Sequence, residues 1–536
     1  MIDLNVLNYV DSRMPRMDAR IVEGISAIQT LKAEEYINDI FRCAAIGFPA
    51  GFKYTGGRRC TPMEQFQEIT RQLKPTGNLK PTKIFDMARS DIYLMRYMFT
   101  WKGVELRPQH IFLPFVSPGG LVYLRDTQYK LTPALGGKVF NIEKGNIYMQ
   151  PARHRIGFWQ FDTSCIKDGK LINQSSVGSH LFVIKFKKDR SPLKPTLVHY
   201  ILAEYGLTNT LRDFFNVTPV IGNEELDDYD KSKWTVYRSR QMPPIRRSNN
   251  DYAVSKIRIA IPIEQHYPIL DNIISTIFYI IDNSVGSTQV LEDLDNPRLW
   301  LRLLDKFTFS VAISEQKLQE RMQDHLYSMK NMFDPMTERT LLSDGIACKS
   351  IFEFFRYMCI NYQDIIIHYD VGTMYDKELA TLKYFLFGIV YSIFSLMYDV
   401  RNLTPELLTV AKLNKILGKN LKKEKILNVK GHGELMSASF ASNCMMHGAT
   451  CNMISHTKAT TPGGKQKNKG ITNDPGVALH PSQAEWGSYG WITGGCPTGR
   501  DKMNPFGKFN GWVLARNPEL TAEIEELRTL IMKRRN

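Results

Sequence analysis

Apolar residues recur at three- and four-residue intervals over 301–332 and 351–400, the spacing of a helix face, and residues 296–430 read as dominantly helical. Helices are also expected over 18–45 and 62–73, with a charged amphipathic helix over 519–534. Between 109 and 160 the pattern breaks into short β-branched and aromatic runs. Gly119-Gly120, Gly136-Gly137 and Gly145 punctuate them, which predicts antiparallel strands and hairpins. Further strands are expected at 181–186 and 257–263. Residues 224–250 place Asp227-Asp228-Tyr229-Asp230 before Arg238, Arg240, Arg246 and Arg247 around Pro243-Pro244, and read as an exposed linker or loop. After Lys430 the chain turns to Gly, Ser, Asn, His and Pro without periodicity, a stretch that is usually functional or held by a partner.

Length and composition then set the class. A chain of 536 residues exceeds one domain at roughly 150 residues each, and 43% hydrophobic content supports sizeable cores. The expected fold class is α+β and multidomain, with mixed antiparallel sheets and helices. Eight scattered cysteines suit a reducing compartment. Met1 to Val10 shows no secretory signal pattern, so secretion is not expected. The longest apolar stretch, 384–398, is interrupted by Gly388, Ser392 and Ser395, falls short of a bilayer span and reads as a buried helix, so no membrane partner is expected.

The net charge of +15 is unevenly placed. Residues 401–470 hold twelve basic residues against Glu406, Glu424 and Glu434, so nine of the fifteen excess charges lie there. That density is the electrostatic footprint of a polyanion partner. For 412–425 a solvated helix face is an equal reading. Lys465, Lys467 and Lys469, on a glycine-bounded stretch with few acids, favour nucleic acid.

Local chemistry is sparse. Cys444, His447, Cys451 and His456 could hold zinc, although the spacing matches no standard zinc module, and packed cysteines with hydrogen-bonding histidines are the competing reading. Asp293-Leu294-Asp295 resembles a two-carboxylate magnesium pair. Asn296, Pro297 and Arg298 follow at once, so helix capping with a salt bridge to Arg298 is the preferred reading. No Walker loop, G-x-S-x-G elbow or H-E-x-x-H occurs, and no catalytic or metal-binding residue is assigned.

The tail carries a more specific series: Ser455-His456-Thr457-Lys458, then Leu479-His480-Pro481-Ser482-Gln483, Trp486-Gly487 and Cys496-Pro497-Thr498-Gly499. It resembles the fork of the second-largest (β-type) subunit of multisubunit DNA-directed RNA polymerases. Pro114 to Leu124, with Gly137-Lys138-Val139-Phe140, is similar to that family's early strand, and Asp293, Asp295, Asn296 and Arg298 to the start of one of its helices. The family's second basic residue after the histidine-lysine is Ala459 here, and its Glu-Thr-Pro-Glu-Gly block has become Pro497-Thr498-Gly499-Arg500-Asp501. A sequence this drifted looks most like the N-terminal half of the split β subunits of giant tailed bacteriophages.

The resemblance implies a protrusion-like part over 1–155, a lobe-like part over 156–290, a second, helical protrusion-like part over 291–435, a fork-like part over 436–510 and a C-terminal helix over 511–536. It implies a nucleotidyltransferase subunit that is not catalytic alone: Mg2+ is expected on the aspartates of a β′-type partner, with the C-terminal half of β on another chain. Template DNA and the RNA transcript are the remaining partners. Lys458, Lys465, Lys467, Lys469, His480, Gln483 and Arg500 are the expected nucleic-acid-binding residues, although His480-Pro481 reads equally as an ordinary turn. The interior of the infected host cell is the expected location, with the virion as a second one. The competing class is a phage replication or virion protein that binds single-stranded DNA.

Overall fold

A computed structural model describes residues 32–73, 92–117, 121–124, 127–131, 134–143, 145–149, 156–179, 194–240, 255–283, 294–308, 315–330, 333, 335–368, 373–375, 377–380, 386–403, 405–421, 435–437, 450–453, 482, 485, 500–502, 508–510 and 513–535. The chain divides into two compact units, one of residues 1–141 with 370–536 and one of residues 142–369. The architecture is α+β, with several antiparallel sheets.

The first unit opens with α1 (Ala33–Ala45), β1 (Phe52–Arg59), α2 (Pro62–Leu73), β2 (Ile92–Trp101), β3 (Val104–Glu105) and β4 (Gln109–Pro114). These strands make a four-stranded sheet in which β2 pairs with β1, β3 and β4. Lys102 and Gly103 both take positive φ, the two-residue turn that suits a right-twisted hairpin. Helix α1 buries Ile37, Ile40, Phe41 and Ala44. The Phe41 ring stands 4.8 Å from Tyr54 and 4.9 Å from Tyr97, so one aromatic side chain fastens the helix to two strands. From α2, Glu64 accepts from both terminal nitrogens of Arg58 on β1 and from Arg96 on β2.

Short strands follow: β5 (Val116–Ser117), β6 (Leu121–Leu124), β7 (Thr127–Leu131) and β8 (Ala134–Gly137). Gly136 and Gly137 lie inside β8 instead of at a turn. A Cβ on Gly137 would come within 2.2 Å of the Phe140 carbonyl oxygen, so the backbone here needs glycine.

The second unit is built on a seven-stranded sheet. Its strands are β9 (Phe140–Glu143), which straddles the boundary, β10 (Asn146–Met149), β11 (Ile156–Lys167), β12 (Lys170–Ser179), β13 (Val220–Gly222), β14 (Trp234–Arg238) and β15 (Arg258–Pro262). Its helices are α3 (Leu197–Tyr205), α4 (Pro268–Asp282), α5 (Pro297–Thr308), α6 (Glu315–Lys330), α7 (Pro335–Leu342) and α8 (Ile351–His368). Helix α4 lies on β11 and β12 through a buried hydroxyl chain: Ser275 donates to Thr163 at 3.0 Å, Thr163 meets Ser176 at 2.9 Å, and Ser176 meets Thr276 at 2.5 Å. Each hydroxyl is thus satisfied within the core. Asp271 opens α4 and accepts from Lys167, His266 and the Tyr237 hydroxyl.

The expectation of an exposed linker or loop over 224–250 holds for 224–233, most of whose residues are exposed, and is corrected for 234–238, which form β14. Residues 224–228 form a 3-10 turn, and β14 pairs with β11 and β15. Asp227, itself exposed, pairs with Arg258 of β15 at 3.1 Å, and Arg258 is only 8% exposed. Residues 241–250, like the strand expected at 181–186, lie outside the described residues.

Returning to the first unit, the chain adds β16 (Lys377–Ala380), α9 (Phe387–Arg401), α10 (Val410–Asn420), β17 (Leu435–Ser437), β18 (Thr450–Met453), β19 (Arg500–Lys502), β20 (Lys508–Asn510), β21 (Val513–Ala515) and α11 (Pro518–Arg535). The apolar stretch expected to be a buried helix is α9, with Ile389, Val390, Ile393, Phe394, Leu396 and Met397 in the core. Among the described residues no helix is long and apolar enough to cross a membrane. Cys43, Cys60, Cys165, Cys348 and Cys359 are buried and not disulfide-bonded.

Candidate nucleic-acid interface

The tail is irregular in sequence, yet its described pieces are strands of sheets begun three hundred residues earlier. Strand β17 pairs with β7, Leu435 facing Leu131. Strand β18 runs parallel to β8, Asn452 facing Ala134 and Met453 facing Leu135. Strand β19 lies antiparallel on the other side of β18, with Thr450, Cys451 and Asn452 opposite Lys502, Asp501 and Arg500. The complete order is β19-β18-β8-β16-β21-β20. The segment 454–499 therefore leaves this sheet after Met453 and rejoins it at Arg500, beside the strand it left.

A second fastening lies within that segment. The buried Ser482 hydroxyl accepts the backbone N–H of Met374 at 2.9 Å. Tyr375 donates its hydroxyl to Glu485 at 2.7 Å, and the Arg516 guanidinium lies 5.0 Å from the Tyr375 ring centre. Burial, then the Glu485 carboxylate, pushes the Tyr375 phenol up to about 12, so it remains a donor at neutral pH. Met374 and Tyr375 immediately precede β16, and Arg516 follows β21, which pairs with β16. Ser482 and Glu485 are thus tied to the residues that lead into β16, a strand of the sheet that also holds Met453 and Arg500.

Of the residues expected to meet nucleic acid, Lys458, Lys465, Lys467, Lys469, His480 and Gln483 lie outside the described residues. Arg500 is described by its backbone alone, on β19 opposite Asn452. Cys444, His447 and His456 also lie outside, and Cys451 is placed only as a strand residue opposite Asp501. Among the described residues no group of three or more His, Cys, Asp or Glu side chains could hold a metal ion.

The Asp293-Leu294-Asp295 motif works structurally, with partners other than those expected. Asp295 accepts from the Thr208 backbone N–H at 2.8 Å. The Leu294 carbonyl takes Leu207 N–H at 3.1 Å and the Trp300 indole at 2.7 Å. Asn296 caps α5, accepting from Arg298 N–H at 3.0 Å, with Pro297 opening the helix. Arg298 forms no ion pair with Asp295, so the described carboxylate is committed to backbone. Asp293 lies outside the described residues.

Reasoning from sequence missed Tyr375 and Arg516, and it assigned no role to Ser482 or Glu485. Their only signal was position: Ser482 and Glu485 flank Gln483 within the series already singled out.

No curated protein matches the chain. The profile of a family described as non-virion RNA polymerase subunit matches residues 8–512, which includes β8, β16, β18, β19 and the Ser482 and Glu485 contacts. The match runs over most of the sequence, and the chain belongs to the non-virion RNA polymerase subunit family.

Proposed function

We propose that this polymerase subunit is the N-terminal half of a split β-type subunit of a bacteriophage enzyme, forming one wall of the DNA cleft. In this reading 1–155 and 291–435 are protrusion-like, 156–290 lobe-like, and 436–510 the fork beside the RNA-DNA hybrid. The observation that carries it is the mounting of 454–499: both ends on neighbouring strands, with Ser482 and Glu485 fastened between them. A lysine-bearing segment held at fixed points on a sheet can keep charge near a moving strand without reading its bases. Lys458, Lys465, Lys467 and Lys469 neutralise phosphates, Arg500 adds charge at the base, and His480 with Gln483 supplies hydrogen bonds.

Chemistry belongs to the assembly in this reading. Magnesium, held by aspartates of a β′-type partner, supplies charge stabilisation for nucleotidyl transfer, and this chain contributes positioning. Asp295 does not fit a metal-binding role because its carboxylate is engaged by Thr208. The working place of such an enzyme is the infected cell.

Copurification tests the reading. A tagged chain should bring down a β′-type chain and a separate C-terminal β chain in a complex that transcribes. Changing Lys465, Lys467 and Lys469 together to Ala should leave that complex intact but dissociate its elongation complexes at lower salt. A chain that joins no transcribing complex and binds single-stranded DNA tightly alone would contradict the proposal.

A further inference from the structure

Helix α10 presents a second basic surface, separate in sequence from the tail series. Thr409 caps the helix, accepting from Lys412 N–H at 3.3 Å. Leu413, Ile416 and Leu417 are buried, which fixes the rotation of the helix about its axis. Its exposed positions are Val410, Ala411, Lys412, Lys415, Gly418 and Lys419. Lys412, Lys415 and Lys419 make one stripe, spaced about 4.5 and 6 Å along the axis at 1.5 Å per residue.

The three lysines are not equivalent. Lys419 is paired with Asp399 at 3.0 Å, and Asn420 donates to the same carboxylate at 2.9 Å. Among the described residues, no carboxylate pairs with Lys412 or Lys415, and the nearby Glu406 pairs with neither. A third cation joins them from another segment: Asn414, on the same helix, accepts the backbone N–H of exposed Arg107 at 2.9 Å. Arg107 also lacks a carboxylate partner among the described residues, and Glu105, two residues before it, is not paired with it. The helix therefore fastens the β3–β4 connection beside its own lysines.

Resting on the reading of the chain as a polymerase subunit, we propose that Lys412, Lys415 and Arg107 form a contact for the sugar-phosphate backbone of duplex DNA. Three cations without acidic partners among the described residues, two on a helix anchored through its apolar face and one on a connection fastened to it, suit a regular row of phosphates. No aromatic side chain occupies an exposed position of α10, so the helix offers no ring on which an unpaired base could stack. That distinguishes it from a single-strand groove and favours the duplex.

The test uses the assembled polymerase carrying Lys412→Gln, Lys415→Gln and Arg107→Gln together, with a labelled DNA duplex and a single-stranded RNA of equal length as probes. Binding is measured across a KCl series. The log–log salt slope for the duplex should become shallower by about two to three, at about 0.9 for each phosphate that is no longer neutralised, with affinity falling by about two orders of magnitude in ~0.1 M salt. Lys419→Gln, the paired lysine, should leave the slope in place. An unchanged slope in a triple variant that copurifies normally would overturn the assignment while leaving the polymerase reading intact. A loss confined to RNA, or an equal change from Lys419→Gln, would overturn it as well. A wild-type chain absent from the polymerase would remove both.

Discussion

The Ser482 hydroxyl and the Met374 backbone N–H, distant in sequence, are joined by a buried hydrogen bond of 2.9 Å. It fastens Ser482 to the residues that lead into β16, which pairs with β8.

Ser482→Ala should therefore do more than remove a hydroxyl. It leaves the Met374 N–H buried without this acceptor, at a cost of about 1–3 kcal/mol. Thermal unfolding of the purified chain should shift down accordingly, and elongation complexes made with it should dissociate faster although subunits still assemble. Equal melting of variant and parent would mean that the tail is not anchored at this point.

Gly206 ends α3 with φ near +76° and ψ near 179°, a region open essentially to glycine, and a Cβ there would stand 2.3 Å from the Asp295 carbonyl oxygen. Gly206→Ala should cost roughly 1–3 kcal/mol from backbone strain before the clash is counted. Denaturant unfolding measures it. A loss below about 0.5 kcal/mol, the range of ordinary surface changes, would contradict the close approach of α3 to the Asp295 segment.

Asp282 closes α4, where burial pushes its carboxyl up to about 6 despite hydrogen bonds from Ser239 and the Arg240 backbone. The end of a helix also disfavours negative charge. The unfolded carboxyl ionises near pH 4, so the folded state holds the proton more tightly between about 4 and 6. Stability should decline as pH rises through that window and then level off. Asp282→Asn should abolish the decline and gain up to about 3 kcal/mol above pH 6, at 1.36 kcal/mol per pKa unit. Melting curves across pH report it; parallel profiles for parent and variant would contradict the burial of this charge.

Periodicity exposes the helices because burial on one face repeats within a dozen residues: the apolar face of α10 and the Asn296-Pro297 start of α5 are both visible locally. It conceals whatever depends on distant partners. Arg238 and Arg240 look solvated when read along the chain, yet residues 234–238 pair with β11 and β15, and so β14 reads as linker from sequence alone. Gly136-Gly137 resembles a turn, but the Phe140 carbonyl demands glycine inside a strand. The lysines and histidine of the tail are legible as a series of residue types. Their mounting is not, because a parallel pairing such as Asn452 with Ala134 leaves no mark on either segment alone.

The most direct measurement places a photo-crosslinking residue at position 467 and another at 483 in the assembled enzyme, stalled on a scaffold with labelled template and transcript. Crosslinks from both positions to the strands of the RNA-DNA hybrid are the predicted result. Crosslinks only to protein, in complexes that transcribe normally, would contradict the claim that this segment faces nucleic acid.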